Sequence, residues 1–101
     1  MRGYFSMILH AHLPYVRHPE YEEFLEEDWL YEAISETYIP LLNMFENLTR
    51  DKIPWSITMT MSGTLANMLN DELLRSRYEV SLNKSLELCR LEVERLKDQE
   101  E

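Results

Sequence analysis

Two histidines separated by a single residue stand in the run His10-Ala11-His12-Leu13-Pro14. In an extended chain, residues two apart point to the same side. His10 and His12 would therefore project together. Imidazole in such a place can ligate a metal, hydrogen-bond to sugar hydroxyls or transfer a proton. It can equally bond a loop or a helix cap and have a purely structural role. An H-x-H pair supplies two metal ligands and would need others from elsewhere. His18 ends the polar loop between Pro14 and Pro19; it reads as an exposed loop histidine that could line the same site as His10 and His12. Tyr15, Trp29 and Trp55 offer flat faces suited to sugar stacking, although core packing is the commoner use of such aromatics. Ser62-Gly63-Thr64 reads as a turn that caps a following helix, and Ser62 there could also line a site. The one cysteine, Cys89, excludes an internal disulfide and a cysteine-based zinc site, and its place on an apolar stripe reads as a core thiol. No phosphate loop, dinucleotide fingerprint or serine-nucleophile elbow is present. The chain has 19 acidic residues, yet none falls at a strand end where a catalytic carboxylate pair would converge.

The elements that must position these residues can be read from periodicity. Tyr4 to His10 is almost wholly apolar, which predicts a strand buried on both faces, as in a parallel sheet. From Glu20 to Thr49 there are nine acidic residues and no basic one, a pattern that reads as a solvated loop and helix face. Within it Leu30, Ala33, Ile34, Tyr38, Leu41, Leu42, Phe45 and Leu48 recur at spacings of three and four, the stripe of an amphipathic helix. Asp28 is the expected N-cap, and Pro40 should kink or split the helix near Thr37. Ile53 to Met61 alternates apolar and polar residues, as a second strand does. Two further helices follow, one with Leu65, Met68, Leu69 and Leu73, the other with Tyr78, Leu82, Leu86, Cys89, Val93 and Leu96. Met44, Met59, Met61 and Met68 read as core filling.

The order strand, helix, strand, helix, helix implies an α/β chain with a right-handed crossover and parallel strands. Two such strands do not close a sheet, and a βα-barrel needs roughly 200 residues or more. The last helix runs into Lys97-Asp98-Gln99-Glu100-Glu101 without a glycine or proline stop. Residues 1–101 are therefore expected to be the amino-terminal portion of a larger barrel or α/β domain, an incomplete domain. Its open edges and uncovered apolar faces would favour self-association. The net charge of −9 disfavours binding to nucleic acid or to anionic membrane. No apolar run reaches the ~20 residues of a membrane span, and the short amino-terminal apolar run lacks a cleavage signal. A cytoplasmic protein is the expectation.

The block Leu9-His10-Ala11-His12-Leu13-Pro14-Tyr15-Val16-Arg17-His18-Pro19-Glu20 resembles the amino terminus of the family-57 glycoside hydrolases, in their 1,4-α-glucan branching enzyme branch. The similarity continues through Phe24–Ile34 and Glu36–Leu42 and is fainter from Thr58 to Leu74. The resemblance implies the first two βα units of an incomplete seven-stranded, TIM-like (β/α) barrel. It implies an enzyme that cuts α-1,4-glucan, such as glycogen or amylose, with retention and transfers the released chain to a 6-hydroxyl, and it implies no cofactor. His10 and His12 match the family's first motif and become substrate-binding candidates. The family's catalytic glutamate and aspartate lie on later strands, so no catalytic residue is expected in this chain, which alone should be inactive. Ser62-Gly63-Thr64 departs from the prolines common in the family after strand two. Two other classes stand beside this reading: a metal-dependent barrel hydrolase that uses His10 and His12 as ligands, and a non-enzymatic helical interaction module whose strands are misread.

Overall fold

A computed structural model describes residues 2–99. Strand β1, Ile8–Ala11, pairs in parallel with β2, Thr58–Met61. Between them run α1 (Glu27–Ala33), a π-helical turn (Ile34–Tyr38) and α2 (Ile39–Arg50). After β2 come α3 (Gly63–Leu69) and the long α4 (Glu72–Gln99). The chain is thus α/β with two parallel strands, which sets aside the helical module with misread strands.

Both strands are shorter than the sequence implies. Tyr4 and Phe5, expected inside the first strand, are 99% and 85% exposed. Ile8 is exposed as well, so β1 is not buried on both faces. The reason is tertiary. An apolar run becomes a buried strand only where other elements pair with it and cover it, and among the described residues β1 has β2 alone as a strand neighbour. β2 likewise starts at Thr58 instead of Ile53.

The break foreseen at Pro40 takes a definite form. Pro40 has no N–H to give to the carbonyl four residues earlier. The chain widens there into the π turn, and the Ile39 N–H bonds to the Ile34 carbonyl five residues back. Pro40 then sits in the first turn of α2, where its missing donor costs little. At the other end of α2 the Ile53 N–H reaches the Leu48 carbonyl at 3.0 Å, and the Lys52 N–H reaches Thr49 at 3.1 Å. This is a Schellman closure, with Lys52 at φ 59° in the place glycine usually takes.

The buried core is small: Ala11, Val16, Leu30, Tyr31, Leu65, Met68 and Leu74. It lies where the end of β1, the following loop, α1, α3 and the start of α4 meet. Most of the rest is open. Among the methionines expected in the core only Met68 is buried, whereas Met44, Met59 and Met61 are exposed. Cys89 is exposed too, because among the described residues nothing covers the apolar stripe of α4 from Leu86 onward. The radius of gyration is 18.5 Å, against about 13 Å for a compact chain of this length. The accessible surface is 8510 Å², against roughly 6,100 Å² for a compact monomer of this mass. Among the described residues no helix is long and apolar enough to cross a membrane.

Candidate active site at the carboxyl ends of two parallel strands

Because β1 and β2 are parallel, their carboxyl ends share one edge. His10 is the register partner of Thr60, and Ala11 of Met61. The ladder continues one step further, with the Ser62 N–H bonding to the Ala11 carbonyl at 3.0 Å. His10 and His12 lie on one side of this edge. Their ring centroids are 5.7 Å apart with 17° between the planes, so the imidazoles stack. Both residues are exposed. His10 Nδ1 is hydrogen-bonded to the Thr60 hydroxyl across the ladder.

The other residues singled out in the sequence divide. Ser62 stands at this edge, but its hydroxyl accepts from the Leu65 N–H at 3.2 Å and so caps α3. Tyr15 is exposed, 61%, on the loop after β1. Trp29 and Trp55 are also exposed, and neither fills the core. Trp55 stacks on Phe45 with centroids 4.7 Å apart and donates its indole N–H to Thr49 Oγ1 at 3.0 Å. His18 turns to a different neighbourhood. Its Nδ1 lies 3.1 Å from Glu20 Oε1, its Nε2 lies 3.7 Å from Glu26 Oε2, and its ring packs on Phe24.

That neighbourhood holds the residue missed in the sequence. Glu27 belongs to the acidic run expected to be solvated, yet it is 1% exposed. Its carboxylate accepts from Arg77 at 2.5 Å, from the Tyr31 hydroxyl at 3.0 Å and from the His18 backbone N–H at 3.1 Å. The Arg77 guanidinium also donates to the carbonyls of His18 and Tyr21. One cation on α4 thus holds the start of α1 and the loop that leaves the His10–His12 edge. Burial, then the hydrogen bond to Glu27, pushes the Tyr31 hydroxyl well above the usual tyrosine range. Tyr31 lies four residues after Glu27, one helical turn on, which was the only signal of this cluster in the sequence. Asp28, the expected N-cap, is already inside α1; Glu26 precedes the helix and makes no side-chain cap. Arg17 Nε lies 2.8 Å from Asp71 Oδ2 without a directed hydrogen bond, while Asp71 Oδ1 accepts from the Leu74 N–H and caps α4.

Chemically, the strand-end edge offers two stacked imidazoles and, among the described residues, no carboxylate partner at hydrogen-bond distance. It can donate and accept hydrogen bonds. Among the described residues no group of three histidine, cysteine or carboxylate side chains comes together as a metal site.

The model of glycosyl hydrolase family 57 matches residues 6–100, nearly the whole chain. The chain belongs to glycosyl hydrolase family 57. It is 42% identical over 86 residues to the 1,4-alpha-glucan branching enzyme TK1436 of Thermococcus kodakarensis, which covers 85% of this chain and 13% of that protein. It is 32% identical over 69 residues to the probable 1,4-alpha-glucan branching enzyme Rv3031 of Mycobacterium tuberculosis, 68% of this chain and 13% of that one. Among solved structures it resembles the alpha-amylase AmyC of Thermotoga maritima. The TM-score is 0.85 at 50% identity, over 94% of this chain and 18% of the amylase. The chain therefore spans between an eighth and a fifth of the length of these family-57 relatives.

Proposed function

We propose that the chain forms the amino-terminal, substrate-lining part of an α-glucan-active family-57 enzyme of the branching type. In this reading residues 1–101 are the first two βα units of an incomplete seven-stranded barrel. His10 and His12 hydrogen-bond the glucan hydroxyls next to the bond that is cut. The observation that carries it is the stacked His10–His12 pair at the shared carboxyl edge of two parallel strands, where barrel enzymes bind substrate. The likeness to TK1436 supports branching as the outcome.

The covalent work belongs to two carboxyl groups supplied from outside this chain. Retention with transfer requires a carboxylate nucleophile and an acid/base carboxyl about 5–5.5 Å apart. What this segment adds is polar contact to the sugar as positive charge develops at its anomeric carbon. Such contacts strengthen in the transition state and act on turnover more than on ground-state binding. The 50% identity to AmyC favours a second reading in which water, instead of a glucan 6-hydroxyl, takes the cleaved chain.

The test is made in an active enzyme that contains this segment. His12→Ala should lower kcat about 30–150-fold, equivalent to roughly 2–3 kcal/mol, with little change in KM. Normal turnover with only a raised KM would make His12 a uniform binder and overturn the assignment. With amylose, a falling iodine stain without new reducing ends marks branching, and new reducing ends mark hydrolysis.

A further inference from the structure

We propose that Thr60 is a positioning residue for His10: its hydroxyl donates to His10 Nδ1 and holds the ring as the Nε2–H tautomer, leaving that N–H as the donor offered to a sugar oxygen. The inference deepens the proposed function and rests on His10 being a sugar contact.

Three observations meet here. Thr60 and His10 are register partners of the parallel ladder, so the backbone itself fixes their separation. The Thr60 hydroxyl and His10 Nδ1 are in hydrogen-bond contact. The Thr60 hydroxyl has no other side-chain or backbone acceptor among the described residues, so its proton is free to point at the ring. A neutral imidazole has one donor nitrogen and one acceptor nitrogen, and the bond made at one of them decides the role of the other. With Nδ1 accepting, Nε2 must carry the proton. This is also the tautomer that a free neutral imidazole favours in water, so the bond reinforces an existing bias. The His12 ring lies alongside, with centroids 5.7 Å apart, on the same side of the edge. Thr60 needs no contact with substrate to act in this way. At β2 of the sequence it reads only as a polar member of an alternating strand.

The tautomer is read directly from the imidazole nitrogen shifts in two-bond hydrogen–nitrogen spectra of the ¹⁵N-histidine-labelled chain at a pH where His10 is neutral. The wild-type chain should show His10 predominantly as Nε2–H. Thr60→Val keeps the shape of the side chain and removes the hydroxyl. It should raise the ratio of Nδ1–H to Nε2–H tautomer roughly three- to tenfold, the range expected for one net hydrogen bond. Thr60→Ser, which restores the hydroxyl, should return the wild-type pattern. A wild-type His10 that is mainly Nδ1–H, or a tautomer ratio indifferent to Thr60→Val, would overturn the proposal. A wild-type Nδ1–H fraction as high as that of free neutral imidazole would overturn the proposal even if a variant fails to fold. Titration with maltoheptaose, made in an active enzyme that contains this segment, separates the two layers. If the tautomer follows Thr60 but His10 Nε2 does not respond to the sugar, the positioning stands and the glucan reading of the site falls.

Discussion

Replacing Arg77 by methionine probes the contact that ties α4 to the functional edge. Methionine keeps most of the apolar stem and removes the charge and every hydrogen bond the guanidinium makes. In the wild-type chain the Arg77 and Glu27 side chains are 17% and 2% exposed. After the substitution, the Glu27 carboxylate keeps the Tyr31 hydroxyl and the His18 N–H but loses its counter-charge. Removing one partner of a buried pair costs about 3–5 kcal/mol, because the remaining charge stays desolvated. Against the 5–15 kcal/mol typical of a folded domain, that is a large fraction of the total. Arg77→Lys should fall between, since a single ammonium cannot serve a carboxylate and two carbonyls at once. The double variant Glu27→Leu/Arg77→Met should recover at least half of the loss, because no buried charge is left. Urea unfolding at pH 7, followed by far-UV circular dichroism at one fixed protein concentration, measures all four proteins. A loss below about 1 kcal/mol for Arg77→Met would be the value of a screened surface pair. It would refute the view that this cluster is a buried clasp.

Other outcomes follow from the same structure. The Tyr31 hydroxyl titrates above its unfolded value, as does Tyr38 through burial, so their contribution to stability is complete below about pH 10 and is lost as the pH rises beyond it; Tyr31→Phe should flatten that alkaline slope in pH-dependent unfolding, and an unchanged slope would assign it elsewhere. Ser62→Ala removes the cap of α3 and should cost about 0.5–2 kcal/mol in thermal or urea unfolding, with Ser62→Asp retaining most of it. The isolated chain should self-associate, because it exposes roughly 2,400 Å² more than a compact monomer would, more than a standard protein interface buries. Sedimentation velocity should show concentration-dependent species; a monodisperse monomer with one sharp unfolding transition would contradict this.

Local chemistry alone determined several parts of this protein. The i, i+2 spacing of His10 and His12 places both rings on one side of an extended segment, since side chains alternate along a strand whatever surrounds it. Pro40 lacks an N–H, so the helix had to break one turn before it. Ser62 before Gly63 is a cap because a serine oxygen fits the free N–H groups of a helix start. The spacing of apolar residues likewise fixes where helices run, and the length of the histidine block was enough to carry the family. Only the tertiary structure decided which apolar surfaces are covered. Tyr4, Phe5, Cys89 and Trp55 carry the composition of a core, but burial depends on a neighbour that the residue itself does not encode. The same holds in reverse for Glu27. Among nine acidic residues nothing local distinguishes it, and it is buried because α4, 50 residues later, brings Arg77 to it. The bond between His10 and Thr60 is of this kind too: it exists because parallel pairing sets residue 10 beside residue 60, a register made by the whole crossover and legible in neither strand alone.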